Sequence, residues 1–385
     1  MSAFSFETTP SIRCGPGISR DIATLVAPIL GQRILIVTDA GIRRVGLLDP
    51  LADRLRAAGI DVHVYDDVAA DPPEANILDA VALARQHAVT GVLGIGGGSP
   101  MDVAKVTALL AGNGGVLDDA YGVRVAKGPR LPLALIPTTA GTGSEVTPIA
   151  IITTGTAEKK GIVSPLLLPD IAILDGELTL GLPAAVTAAT GIDAIVHAIE
   201  SLTSTSANNN PISKTLAIQA LRLLGANIRT AVFDGRNALA RNAMLLGSCL
   251  AGQAFANSPV AAVHALAYPV GARYHVPHGL SNALVLPHVM RFNLGHANGP
   301  YAALAGELFP DLLGRPEAGR ASTLIDRLEE LSRELGVPQR LRDVGIPEDA
   351  LPTLAADAMK QTRLLVNNPR TVSEADALAI YQAAY

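Results

Sequence analysis

The run Gly191-Ile192-Asp193-Ala194-Ile195-Val196-His197-Ala198-Ile199-Glu200 has a helical pattern and sets a carboxylate and an imidazole four residues apart. Residues i and i+4 share one face of a helix, so Asp193 and His197 lie about one turn apart and can address a single cation. Further along, Val263 to Pro269 and Arg273 to Gly279 supply His264, His275 and His278 within fifteen residues. A lone histidine in an apolar run is ordinarily a hydrogen-bonded core residue. Four of the chain's eight histidines gathered with one carboxylate in apolar segments point to a metal instead. Nitrogen and oxygen donors without thiolate suit divalent iron or zinc, and spacing does not choose between them.

A second set of residues has the character of a nucleotide site. Gly96-Gly97-Gly98-Ser99-Pro100-Met101-Asp102 follows a strand-like run and opens a helix. Missing side chains let an anion approach the backbone, and the N–H groups of a helix start attract phosphate. The segment is not a strict Gly-x-Gly-x-x-Gly, because Ser99 stands at the third glycine, and alone it would also read as a tight turn. Thr138-Thr139-Ala140-Gly141-Thr142-Gly143-Ser144-Glu145 is a second polar, glycine-rich turn after a strand. Two such turns at strand C-terminal ends converge on the crevice where open α/β sheets bind ligands. Asp39 ends an earlier strand; it is suited either to cap the next turn or to accept hydrogen bonds from an adenosine ribose. In the second role its charge repels a 2′-phosphate, favouring NAD over NADP.

These residues need elements to hold them. Arg33–Asp39, Asp61–Tyr65, Gly91–Ile95 and Leu131–Pro137 are short apolar runs that read as strands of a buried parallel sheet. Helical patterns fill the gaps, including one from about Asp102 to Leu110. Near Gly181-Leu182-Pro183 the strands give way to long helical patterns; Leu324, Leu328, Leu331 and Leu335 stack along one face of such a helix. The expected fold is an α/β N-terminal dinucleotide-binding domain with a parallel sheet over residues 1–180, then an all-α helical domain over residues 181–385. Length agrees, since 385 residues exceed one typical core.

Composition narrows the function. The 30 Lys and Arg against 35 Asp and Glu give a net charge of −5, which argues against nucleic-acid or anionic-membrane partners. Cys14 and Cys249 are too few for a disulfide framework and lack a Cys-x-x-Cys spacing. With no evident secretory signal and no apolar run near the eighteen or so residues of a membrane span, the expectation is a soluble, cytoplasmic protein.

Taken together, Gly96–Lys105, Thr138–Glu145, Gly191–Glu200 and His264–Gly279 resemble the iron-containing (group III) alcohol dehydrogenase family in order and spacing. The likeness runs over nearly the whole chain, to Asn368-Pro369-Arg370 and Ala384-Tyr385. The resemblance implies hydride transfer between NAD and a small alcohol or aldehyde, in a homo-oligomer such as a dimer, with the active site between the two domains. It implies a divalent metal, Fe2+ with Zn2+ as the alternative, held by Asp193, His197, His264 and His278. It also places NAD against Asp39, Gly97, Gly98, Ser99, Asp102, Thr138, Thr139, Thr142, Thr147 and Lys160.

Two positions depart from the family. Many members have a histidine four residues after the third ligand, proposed to shuttle protons, and this chain has Tyr268. Many have asparagine where Asp71 precedes Pro72. His275 and Tyr268 are therefore the candidate catalytic relays, with His275 slightly favoured for its place three residues before His278. Two other classes compete with the dehydrogenase. A metal-dependent lyase or synthase of a related sheet-plus-helical-domain fold would call for more basic residues than Arg273 near the ligands. A non-catalytic NAD-binding module would leave the metal ligands unexplained.

The cofactor reading makes a direct test possible. Asp39→Gly is expected to let NADP compete while weakening NAD, seen as a lowered ratio of kcat/KM for NAD over NADP. An unchanged ratio would place Asp39 away from the ribose.

Overall fold

The computed structural model describes residues 3–155 and 158–385. Among these the chain divides into two compact units: Glu7–Gly181, and Leu182–Tyr385 together with the N-terminal residues through Phe6.

The first unit has strands β1 (Ser11–Cys14), β2 (Arg33–Val37), β3 (Asp61–Tyr65), β4 (Gly91–Gly96), β5 (Gly122–Val123), β6 (Leu133–Pro137), β7 (Ile149–Thr154), β8 (Glu158–Val163) and β9 (Ile171–Leu174). Its helices are α1 (Ile22–Leu30), α2 (Ala40–Arg44), α3 (Leu48–Ala57), α4 (Glu74–Gln86) and α5 (Gly98–Asn113). Six strands form one sheet in the order β1-β9-β6-β4-β2-β3, and every neighbouring pair is parallel. The sheet is apolar on both faces because both are covered. Successive strand residues point opposite ways. Ile34, Ile36, Leu93 and Ile95 accordingly pack with Ile22, Val26 and Leu55 of α1 and α3. Leu35, Val37 and Val92 face the other way, onto Ile77 and Val81 of α4 and Met101, Val106 and Leu109 of α5. This is a doubly wound sheet. From β2 the chain passes outward to β3, then back across to β4, so the strand order reverses between β2 and β4. Open sheets take ligands at that reversal, outside the strand C-termini.

The expected strands and the Asp102 helix are present with altered edges. Helix α5 starts at Gly98 rather than near Asp102, because glycine, serine and a first-turn proline all fit a helix start. The fourth expected strand starts at Leu133 rather than Leu131. Strands β1 and β9 and a second sheet, β5-β8-β7, were not expected. β7 and β8 pair antiparallel from Ile149↔Val163 to Thr154↔Glu158. Strand β8, Glu158–Val163, opens Glu-Lys-Lys and so lacks an apolar signature.

The second unit is helical, with α6 (Ala184–Thr203), α7 (Pro211–Phe233), α8 (Ala238–Asn257), α9 (Ala262–Tyr274), α10 (His278–Leu308), α11 (Arg320–Glu334), α12 (Leu351–Ala358), α13 (Thr362–Leu365) and α14 (Glu374–Ala383). The leucine stripe lies where its spacing puts it: Leu324, Leu328 and Leu331 are buried on α11. Helix α6 has the length and composition of a membrane span, yet most of it is buried inside this unit. Asp193, His197 and Glu200 along it are polar and buried.

Candidate metal centre and nucleotide turns

Three helices of the second unit deliver the metal-ligand candidates. Asp193 and His197 sit one turn apart on α6, His264 is in the first turn of α9, and His278 is the first residue of α10. One donor atom from each of the four lies within 4.8 Å of the others. Close helix contact makes this possible at Gly279, where an added Cβ would come within 2.5 Å of the Ala189 carbonyl oxygen and 3.1 Å of the Asp193 Cβ. The rings pack face to face: His197 stacks on Phe255 at 4.3 Å and on His264 at 4.7 Å between centroids.

Glu200, one turn beyond His197 on the same α6 face, fixes His264. Its carboxylate accepts from the Val263 N–H at 2.7 Å and sits 2.6 Å from His264 Nδ1. It thereby satisfies a backbone donor left over at the start of α9 and keeps the His264 proton on Nδ1. The Nε2 lone pair is left for the ligand cluster. Burial would push the Asp193 carboxyl up; the imidazoles of His278, His197 and His264 and the Asn282 amide outweigh it and hold the group below the ordinary range. Three imidazole nitrogens and one buried carboxylate fit a divalent iron or zinc ion.

The two relay candidates differ in their surroundings. The Tyr268 ring lies 5.8 Å from that of His278 and 6.4 Å, edge-on, from that of His264. His275 is exposed and ends α9 in the left-handed conformation, with φ of 54°.

In the first unit the two glycine-rich turns come together as expected. β4 pairs with β6 so that Gly96 stands opposite Pro137, and the Thr138 N–H donates to the Gly96 carbonyl at 2.9 Å. The bare faces of Gly97 and Gly98 lie against Thr139 and Thr142; added Cβ atoms would be 3.6 Å from Thr139 Oγ1 and 3.1 Å from Thr142 Cγ2. Gly97 precedes α5, and no side chain caps that helix start, which leaves its N–H groups available to an anion. Gly96 adopts φ of 147°, and a Cβ there would be 2.7 Å from Pro100 Cγ and 3.4 Å from Asp39 Oδ2. Asp39 thus lies beside the turn at the β2/β4 reversal, where it also caps α2 by accepting from the Ile42 N–H at 3.0 Å.

Asp102 and Thr147 are engaged within the protein. Fully buried Lys105 donates to Ser144 Oγ at 2.7 Å, Thr147 Oγ1 at 3.2 Å and the Ile149 carbonyl at 2.8 Å. Asp102 accepts from Ser144 Oγ at 2.7 Å and the Ile151 N–H at 2.9 Å. This network ties α5 to the threonine turn and to β7. Burial lowers the Lys105 ammonium to about 8 against the opposing charges of Asp102 and Glu145. Burial also raises the Glu145 carboxyl to about 7, Lys105 opposing it. Lys160 is exposed on β8, its Nζ 5.6 Å above the Tyr121 ring. Asp71 sits at φ of 52° and pairs with Lys159 at 2.5 Å. Asn and Asp are the non-glycine residues that tolerate that backbone best, which gives a physical reason for either one before Pro72.

The iron-containing alcohol dehydrogenase family model matches residues 9–176, and that family's C-terminal model matches residues 187–385. The chain belongs to the iron-containing alcohol dehydrogenase family. Among relatives of this iron-containing alcohol dehydrogenase, long-chain-alcohol dehydrogenase 1 of Geobacillus thermodenitrificans (strain NG80-2) is 41% identical, covering 100% of this chain and 98% of the relative. A solved 1,3-propanediol oxidoreductase superposes with a TM-score of 0.95 at 36% identity, covering 100% of both chains. Sulfoacetaldehyde reductase from Bifidobacterium kashiwanohense, solved in complex with NAD+, gives 0.88 at 27% identity over 100% of this chain and 99% of that one.

Sequence reasoning missed Glu200, Asn282 and the Lys105 network. The spacing signal for the first two was present: Glu200 follows Asp193 by seven residues and Asn282 follows His278 by four, both one-face separations on a helix. Glu200→Gln removes the charge that polarises His264. Zinc affinity is expected to fall about tenfold or more, measured by competition with a chromophoric chelator; unchanged affinity would reduce Glu200 to a helix cap.

Proposed function

We propose that this protein is an NAD-dependent oxidoreductase interconverting an alcohol and its aldehyde. The observation that carries the reading is the convergence of Asp193, His197, His264 and His278. We assign these four as the ligands of Fe2+, with Zn2+ as the alternative; when bound, the ion polarises the substrate oxygen as a Lewis acid. Asp193 supplies the one negative charge, and Glu200 keeps the His264 lone pair on the ligand side.

For NAD we assign direct contacts to Asp39, Gly97, Gly98, Ser99, Thr138, Thr139, Thr142 and Lys160. The uncapped start of α5 supports a pyrophosphate there. Asp102 and Thr147 join the cofactor set by holding the threonine turn through Lys105 and Ser144. The relatives' names span long-chain alcohols, a propanediol and a sulfoacetaldehyde, so the substrate class proposed here stays at alcohols and aldehydes. The reading includes a homo-oligomer, a dimer in the simplest case, supported by exposed Val123 and Val125 at and beside edge strand β5. It also places the protein in the cytoplasm, which cysteine usage supports.

The test is NADH absorbance with a panel of alcohols and aldehydes after loading Fe2+ or Zn2+. Turnover is expected with the parent, and His264→Ala is expected to abolish it and to lower bound metal by elemental analysis. Full metal and activity in that variant would overturn the assignment.

Alcohol oxidation also releases a proton that some group must carry off. Of the two candidates, the packing of Tyr268 on two ligand rings supports it over exposed His275. An ordinary phenol titrates near 10 and an imidazole near 6.5, so the two relays leave different pH–rate profiles. Tyr268→Phe is expected to slow oxidation and change the profile with metal content intact, while His275→Phe leaves it alone. The reverse pattern would assign the relay to His275, and two unchanged profiles would leave it to water.

A further inference from the structure

We propose that Asn282 competes with the cation for the metal site, its side-chain amide binding the same lone pairs that a divalent ion takes. This rests on the reading of the four ligands as a metal site. Asn282 Nδ2 lies 2.6 Å from Asp193 Oδ1, 3.3 Å from His264 Nε2 and 3.2 Å from His278 Nε2. Three of the four proposed ligands thus converge on one amide nitrogen. The chemistry fixes which end of the amide points inward. Glu200 engages His264 Nδ1, so Nε2 carries a lone pair. A reversed carboxamide would then set its oxygen against that lone pair and the Asp193 carboxylate. In the orientation seen, the Asn282 side chain is fully buried and its Oδ1 has no hydrogen-bond partner. A buried, unpaired carbonyl is unfavourable. It is tolerated because the other end of the amide places its two N–H donors between the Asp193 carboxylate and the His264 lone pair, which would otherwise repel each other.

Thermodynamic linkage gives the consequence. An imidazole Nε2 has one lone pair and cannot serve the amide and the ion at once, whereas the Asp193 carboxylate can accept from the amide while holding an ion. What Asn282 gains from the imidazole nitrogens in the metal-free protein is therefore withdrawn from metal affinity. Its removal must move the two quantities in opposite directions. A ligating or merely supporting asparagine would do otherwise: truncation would weaken metal binding.

The experiment uses metal-stripped full-length protein, parent and Asn282→Ala, titrated with Co2+ against a chromophoric chelator, with thermal unfolding of each metal-free form. Expected are Co2+ binding tighter by roughly threefold or more in the variant, the size of one neutral hydrogen bond, a lower metal-free Tm, and a visible Co2+ spectrum like the parent's. Weaker or unchanged affinity would overturn the proposal. So would a changed Co2+ spectrum, which would put the amide in the coordination shell. Asn282→Ser, too short to reach Asp193, repeats the measurement should Asn282→Ala not fold. A parent that binds no Co2+, or binds it as well after His264→Ala, would overturn the metal-site reading instead.

Discussion

Electron-pair donors of like character repel, and the helical unit is organised around forcing four of them together where water is scarce. Asp193, His197 and His264 are buried, and their ligand atoms share one small region with that of His278. Several features hold this arrangement against its own repulsion. The tight contact of α6 and α10 at Gly279 fixes the backbone. Ring stacking through Phe255 and His197 confines the imidazoles. Glu200 draws the His264 proton outward, and Asn282 supplies a donor among the acceptors. The four donors are thus gathered within one fold before any ion arrives.

The α/β unit solves a different problem with a similar device. The start of α5 at its glycine turn has no side-chain cap, so support for that turn does not come from that face. Stability comes from behind, where Lys105 reaches from α5 to Ser144, Thr147 and the Ile149 carbonyl. A buried ammonium is costly unless fully hydrogen-bonded and paired, and here three acceptors and the Asp102 carboxylate at 3.7 Å meet that need. Glu145 is less well served: its Oε1 has no partner, in keeping with a carboxyl driven toward neutrality.

Much of this was legible in the sequence for reasons that are local. The β2 run Ile34 to Val37 is apolar on both faces only because helices cover both. Asp193 and His197 share a face by helical geometry alone. Gly97, Gly98 and Thr142 announce a turn that side chains would obstruct. What was not legible depends on distant partners. Lys105 reads in sequence as an ordinary helix lysine, and only the return of β7 beneath it makes it a buried tie. Glu200 looks like the end of a helix until α9 begins against it. Asn282 shares a helix face with His278 by spacing, but its place among the other ligands follows from where α10 meets α6. The small sheet escaped because β8 is polar and β5 has two residues.

Helix α6 has a further consequence, for the chain during synthesis. Alone, before α7 to α10 exist to cover it, this segment has the length and apolar content of a bilayer-crossing helix. Its first turn carries no acidic residue and its last turn no basic one. The distinction lies nearer its middle, in Asp193 and His197. A central aspartate costs roughly 2.5–3.5 kcal/mol in insertion at the translocon. Residues proposed as metal ligands thus also make the nascent helix a poorer candidate for insertion into lipid.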